Sequence, residues 1–373
     1  MGGRKTGNSR LMGILKSKIF LMVATAVLIG TTCLMIFAKP LSTALFKKMV
    51  TYRLSSLTVH FEDGLHAGLC GTGSPMADIN RTGPCIAVVA GKHLYIVDVG
   101  DGSTRNITLM GFQTGKIEAV LLTHFHSDHI AGLGELMLQR WAGGSNKTPL
   151  DVIGPAGVET VVDGFNTAYS LDTGYRVAHH GSRAFPPSGA GGVARPFTLG
   201  SEEDASVVLM DKDGIKITAF KVDHRPVVPA VGYRFDYKGR SLVISGDTVY
   251  SESLLKHAKG ADLLLHDALS PWMVEMIRDQ AHVSPVPSLK RIASDIPSYH
   301  ASPKDAAKIA QEAGVGHLIY YHVIPPLPSP ILNRLFLGDA TDHYKGPITM
   351  AADGMLFSLP AENKTVKQKN LLK

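Results

Sequence analysis

Acidic residues are missing from the first 38 positions, where Arg4, Lys5, Arg10, Lys16 and Lys18 supply the only charge. Excess charge is missing from the rest. The whole chain is formally +6, and subtracting those five leaves 33 bases against 32 acids. A polyanion binder would carry a strong basic face, so a near-neutral body argues against one. Cysteine is scarce: Cys33 lies in an apolar run, and Cys70 and Cys85 lie near a Gly-rich turn. Cys70 and Cys85 could pair in an oxidising compartment; the preferred reading is two small buried hydrophobes. Internal repeats at solenoid periods are absent as well. What is present is 373 residues, 45% hydrophobic and 19% charged. That suffices for one large or two medium domains with real cores.

The one long hydrophobic run is Ile19–Ala38, twenty residues without a charge. As a helix it is long enough to span a bilayer. A cleaved signal has a shorter apolar core and small residues before the cut, whereas Ile36 and Phe37 precede Ala38. The run reads as an uncleaved anchor, with secretion after signal cleavage as the alternative. Its basic flank predicts a cytoplasmic N-terminus and an exported body. Lys39, Lys47, Lys48 and Arg53 follow the run and weaken that asymmetry.

The body is organised around Ala119–Leu136, AVLLTHFHSDHIAGLGEL. A short apolar run with strand character ends in His124, His126, Asp128 and His129. Imidazole and carboxylate suit zinc and similar divalent ions. His124 and His126 share a side on an extended backbone, and Asp128 and His129 lie past the turn, where they can face a second ion. Binuclear hydrolases use such a spacing.

Along the chain, Leu57–Phe61 alternates like a strand, and Cys85–Ala90 and Leu94–Val99 form a hairpin around Gly91. Asp98 reads either as a group orienting the histidine loop or as a turn-capping aspartate. Helices are expected over Ile130–Trp141, Val158–Ala168 and Glu252–Ala258. Arg176–Pro196 reads as a long lid or binding loop, in which His179 and His180 are candidate substrate contacts. Strands over Gly214–Val222, Ser241–Ile244 and His317–Tyr321 each end near a candidate ligand, His224, Asp247 and His322, and the strand Asp262–Leu265 ends at His266-Asp267. Ser302, Pro303 and Asp305 start a well-signalled helix. Ile348–Ala351 and Met355–Phe357 flank a hairpin signal at Asp353-Gly354. Asn363–Lys373 reads as a disordered polar tail.

The pattern HxHxDH resembles the signature of the metallo-β-lactamase fold superfamily. GTGSP, IVDVGDG and the later ligands in order resemble its ribonuclease Z, arylsulfatase-like and phosphodiesterase branch, over Leu57 to Leu359. The resemblance implies that His124, His126 and His224 hold one zinc, that Asp128, His129 and His322 hold the other, and that Asp247, in SGDT, bridges them. Two Zn²⁺ are expected, with Mn²⁺ or Fe²⁺ as substitutes. The catalytic candidates are Asp128, His300 in HASPKDAA, and Asp267. The last replaces the branch's usual glutamate and is one methylene shorter, which puts its contact with His300 in doubt.

The implied fold is α/β: a four-layer αββα metallo-β-lactamase-like sandwich preceded by one transmembrane helix. The segments are a basic stretch at 1–18, the anchor at 19–38, a linker or juxtamembrane helix at 39–55, the hydrolase domain at 56–360 and the tail at 361–373. Ribonucleases of this branch that cut transfer RNA carry a long arm between the ligands matching His224 and Asp247. Only 22 residues separate those two here. The expectation is therefore a membrane-anchored hydrolase of small esters (phosphodiester, sulfate ester or lactone). Its partners would be a small-molecule ester, the membrane and a second copy in a homodimer, with nucleic acid disfavoured. A ribonuclease Z-type endonuclease and a non-catalytic metal-binding scaffold are the alternatives.

Overall fold

The computed structural model describes residues 7–56 and 58–372. Arg4, Lys5, Leu57 and Lys373 lie outside the described residues. The chain divides into two units, 1–57 and 58–373.

The first unit is helix α1, Gly7–Ser56. Its stretch Met12–Thr51 is, by length and composition, long and apolar enough to cross a membrane. The expected linker at 39–55 is helical and continuous with the apolar run, and Pro40 sits inside the helix.

The second unit stacks two sheets. In chain order the first sheet comprises β1 (Gly64–Gly71), β2 (Cys85–Ala90), β3 (His93–Val97), β4 (Ile117–Leu121), β5 (Leu150–Pro155) and β6 (Gly192–Phe197). The second takes β7 (Ser206–Lys212), β8 (Ile215–Lys221), β9 (Val231–Tyr237), β10 (Arg240–Ile244), β11 (Leu263–Leu269), β12 (Leu318–Ile324) and β13 (Ile348–Met350). The chain then returns to the first sheet as β14 (Met355–Pro360) and β15 (Lys367–Asn370). The strand orders are β15-β14-β1-β2-β3-β4-β5-β6 and β13-β12-β11-β10-β9-β8-β7. In each sheet an antiparallel half meets a parallel half, β3 to β6 in one and β10 to β13 in the other.

The facing sides form one apolar core, with Leu65, Val88, Val97 and Leu121 from one sheet and Ile217, Phe235, Leu242, Leu265 and Tyr321 from the other. The outer faces are covered by helices. These are α2 (Ser103–Leu109), α3 (Ser127–Ile130), α4 (Leu133–Gly144) and α5 (Val158–Ala184), then α6 (Glu252–Ala258), α7 (Pro271–Gln280), α8 (Leu289–Asp295) and α9 (Pro303–Glu312). Leu133, Leu136, Val158 and Val162 pack on the first sheet, and Leu254, Ala306, Ile309 and Ala310 on the second. This is the expected sheet-on-sheet arrangement with helices outside. The α9 start is a capping box, Ser302 receiving the Asp305 amide at 3.1 Å and giving its hydroxyl proton to the Asp305 carboxylate at 2.6 Å.

Several local expectations are corrected. Residues 58–63 carry no strand, and the first one begins at Gly64. The helix expected over Ile130–Trp141 is two helices, broken at Gly132. α5 runs on to Ala184 and absorbs half of the expected loop at 176–196. Only Val158 and Val162 are buried along its length, so its apolar period is weak in the sequence. The strands flanking Asp353 fall in different sheets and make no hairpin. The tail is ordered in part, because β15 completes the open edge beside β14.

Cys70 and Cys85 are joined by a disulfide, contrary to the preferred reading. The β1–β2 register shifts between Leu69 and Gly71, which brings Cys70 beside its partner. Near this bridge Asp353 forms a half-buried node. Its carboxylate accepts from the amides and hydroxyls of Thr72 and Thr82 at 2.8–2.9 Å and from Asn106 Nδ2 at 2.9 Å. Asp353→Ala is expected to lower the unfolding free energy by roughly 3 kcal/mol or more, since each orphaned buried donor costs about 1–3 kcal/mol. An unchanged urea midpoint would show the node to be dispensable.

Candidate metal centre

The parallel halves of both sheets end at one place, where α/β sheets gather polar sites. Beyond β4, Leu122 and Thr123 continue extended into His124, and the chain turns at His126 into α3. Asp98, just past β3, pins that turn. Its carboxylate accepts the Thr123 amide and hydroxyl at 2.8 Å each and meets His129 Nδ1 at 2.8 Å. That contact leaves His129 Nε2 free to bind a cation. Asp98 adopts a left-handed backbone with φ 56°. Beside it Gly100 has no room for a side chain, since a Cβ there would lie 2.3 Å from the Asp128 carbonyl oxygen.

The second sheet contributes by a different device. In β12 the register against β11 passes from Tyr321 to Val323, so His322 is an extra residue on its strand. Such a bulge re-aims a side chain. His322 has φ 47°, a conformation non-glycine residues seldom adopt. His224 follows β8, and its Nδ1 meets the Tyr299 carbonyl at 2.8 Å. Asp247 follows β10 by three residues.

Seven side chains converge. His124 Nε2 and His224 Nε2 lie 3.0 and 3.3 Å from His126 Nδ1. Asp247 Oδ2 lies 3.8 and 4.0 Å from those two Nε2 atoms. On its other side it is 3.3 Å from both His129 Nε2 and His322 Nε2. Asp128 Oδ2 is 3.5 and 3.2 Å from the same pair. Two ligands each about 2.0–2.1 Å from one tetrahedral ion stand about 3.3–3.4 Å apart, close to the 3.2–3.5 Å at which Asp128 and Asp247 face His129 and His322. His129 Nε2 and Asp247 Oδ1 are buried without a hydrogen-bond partner. Both observations fit a group that takes divalent cations. All but His126 are buried, so His126 marks the open side.

The electrostatics agree. Burial holds His124 well below the usual imidazole range, and the charge on His129 adds to this, so its nitrogen keeps its lone pair. Burial also opposes charge on His129, but Asp247, Asp98 and Asp128 outweigh it and raise its pKa well above the usual range. Three buried carboxylates demand a cation, and without a metal the imidazoles must supply it. Asp128 shows the same balance: burial pushes it up, while His129 and His322 bring it down to about 2.

His300 stands at the edge of this cluster. Its Nδ1 is 3.0 Å from Asp267 Oδ2 and 3.9 Å from Asp247 Oδ2. The shorter aspartate does reach. It sits fully buried inside β11, and its amide donates to Ser245 Oγ at 3.0 Å. Burial pushes the Asp267 carboxyl up, and hydrogen bonds with His266 and His300 outweigh it, leaving its pKa below the usual range. His179 and His180 are exposed on the second half of α5, not on a loop. Sequence reading missed Thr123, whose hydroxyl lies 3.1 Å from His124 Nδ1, and the Tyr299 carbonyl. Thr123 was detectable by its place before the first ligand; a backbone carbonyl leaves no trace in sequence.

Stacked mixed sheets with a His/Asp cluster at the strand ends define a metal-dependent hydrolase of ester bonds. Residues 109–323 match the β-lactamase superfamily domain. A ribonuclease Z of Mycolicibacterium gilvum is 39% identical over 261 residues, covering 69% of this chain and 84% of that protein. One of Mycobacterium bovis is 37% identical over 291 residues, covering 78% of this chain and 96% of that protein. The chain belongs to the ribonuclease Z branch of the metallo-β-lactamase superfamily. Among solved structures, the human short-form tRNase Z matches with a TM-score of 0.55 at 21% identity, over 79% of this chain and 99% of that one. The metallo-β-lactamase fold protein YhfI of Bacillus subtilis matches at 0.54 and 19%, over 79% and 100%.

These relatives overturn the expectation of a small-ester enzyme without a nucleic-acid partner. That expectation rested on near-neutral charge and on the short stretch from His224 to Asp247, which here builds only β9, β10 and their turns. Neither feature bears on the reacting atoms.

Proposed function

We propose that the chain is a ribonuclease Z-type endonuclease that hydrolyses an RNA phosphodiester with two zinc ions. The observation that carries this reading is 37% identity over 96% of a ribonuclease Z, together with a complete set of seven converging ligands. His124, His126 and His224 would hold one ion, Asp128, His129 and His322 the other, and Asp247 both. Such ions lower the pKa of bound water towards neutrality and neutralise charge on phosphoryl oxygens. The chain's own residues do the rest. Asp98 and the Tyr299 carbonyl fix the rings of His129 and His224. Asp267 engages Nδ1 of His300, which leaves Nε2 to protonate the departing ribose oxygen. Zinc-loaded protein should cut precursor transfer RNA at its mature 3′ end. Intact precursor, under conditions where a nitrophenyl phosphodiester is turned over, would refute the reading.

The same chain is proposed to be anchored by α1, with the N-terminus cytoplasmic and the hydrolase unit exported, a placement in which precursor transfer RNA serves as the in vitro test substrate and the RNA met in place is one outside the cytoplasm. The apolar run and its basic flank support the anchor. The Cys70–Cys85 bridge supports export, because disulfides persist in oxidising compartments. A reporter fused after Lys373 should be active only outside the cytoplasm; activity confined to a cytoplasmic reporter would reverse the topology.

A further inference from the structure

Beside the metal cluster lies a cavity of about 590 Å³ with His224 in its wall. Its size falls in the range of small-ligand sites, roughly 300–1,000 Å³. Four segments enclose it: Pro155-Ala156 at the end of β5, 197–204 between the sheets, the 221–230 turn, and Tyr250–Ser253 at the start of α6. Phe197, Leu199, Val227, Val228 and Pro229 make it apolar, and Tyr250 adds a second aromatic ring. The metal chemistry uses none of these side chains.

Its charges select the occupant. Glu203, Asp204, Asp223 and Glu252 line the cavity against Lys221 and Arg225. Both cations are engaged already. Arg225 Nε donates to Asp223 at 2.9 Å, and Lys221 Nζ donates to the Ser201 carbonyl at 3.2 Å. Asp204 is paired with Lys256 at 2.6 Å. Glu203 and Glu252 pair with no cation among the described residues. Such a lining leaves the Glu203 and Glu252 carboxylates to accept N–H donors. A hydrocarbon chain would leave the carboxylates facing apolar atoms, at a cost in desolvation. A flat group with two apolar faces and amino groups on its edge satisfies both the walls and the rim.

We propose that this cavity receives the nucleobase next to the scissile phosphodiester. The base would lie between the apolar walls with its exocyclic amine toward Glu203 or Glu252, while the phosphodiester reaches the cluster past His224. The inference rests on the phosphodiesterase reading of the centre and adds a base-binding subsite to it. Base–aromatic contacts of this kind are worth roughly ten-fold or more in binding.

The test compares adenosine 5′-(4-nitrophenyl) phosphate with methyl 4-nitrophenyl phosphate on the zinc-loaded full chain. Both esters release the same nitrophenolate and differ only in the nucleoside. The parent enzyme should favour the adenosyl ester by about ten-fold or more in kcat/KM, chiefly through KM. Val228→Trp, at an exposed wall position, and Leu199→Trp should each bring the ratio near one by filling the cavity. No preference in the parent enzyme, or equal losses on both esters in both variants, overturns the subsite. A parent enzyme that keeps the preference yet leaves precursor transfer RNA intact supports the subsite and refutes the ribonuclease reading alone.

Discussion

Asp247→Ala should take bound zinc from two equivalents to below one. It should also slow phosphodiester hydrolysis by more than about 10³-fold, since several kcal/mol of lost charge stabilisation convert at 1.36 kcal/mol per decade. The expectation comes from its position. One carboxylate oxygen lies within 4.0 Å of the facing nitrogens of His124, His224, His129 and His322, two from each half of the cluster. Each of the other candidate ligands lies in one half only, and Asp247 is the residue whose loss should disturb both. Elemental analysis and nitrophenyl ester turnover on the same preparation check this. Full zinc with less than a ten-fold rate loss would contradict it. So would a clean single equivalent in the parent protein that His129→Ala or His322→Ala leaves unchanged.

His300→Ala should keep both zinc equivalents and act on the leaving group. A general acid contributes roughly 10²–10⁴-fold where it acts, so an alkyl phosphodiester should slow by that order and its nitrophenyl analogue far less. Nitrophenolate departs without a proton, whereas an alkoxide needs one. The motivation is geometric: His300 is buried, its Nδ1 faces Asp267 at 3.0 Å, and its ring stacks on that of His322 with centroids 5.5 Å apart. A ring that only packed the start of α9 would behave differently, with both substrates losing rate equally and thermal stability falling. Asp267→Asn separates orientation from proton transfer, because it keeps a hydrogen-bond partner but removes the charge. It should reproduce part of the alkyl-ester loss and leave zinc in place.

Much of the centre was legible because its parts are local. HFHSDH sits directly after an apolar strand, and His224, Asp247 and His322 each follow or end one. Alternation and strand ends are properties of a few consecutive residues, and they carried the reading from sequence to sheet. What failed was what depends on distant partners. Asp353-Gly354 has the composition of a hairpin turn, but the strands it separates are claimed by different sheets, and its carboxylate gathers Thr72, Thr82 and Asn106 instead. Cys70 and Cys85 have nothing local that distinguishes a bridge from two buried thiols; the β1–β2 pairing decides it. The tail pairs as β15 because β14 leaves an edge to fill, which no tail composition reveals.

Substrate expectations failed for a related reason. Net charge averages over the whole chain and the 224–247 stretch is a single segment, so neither describes a surface that several distant segments build together. The sequence by itself determined which side chains have ligand chemistry, the strand character before them and the apolar helix at the N-terminus, since each is written in adjacent residues. Only the tertiary structure decided that His322 turns inward on a bulge, that Asp98 and Asp267 each reach an imidazole, and that a negative-rimmed cavity opens beside His224. Those outcomes depend on registers and contacts between segments far apart in the chain, and the packing of two sheets is what brings them within hydrogen-bonding distance.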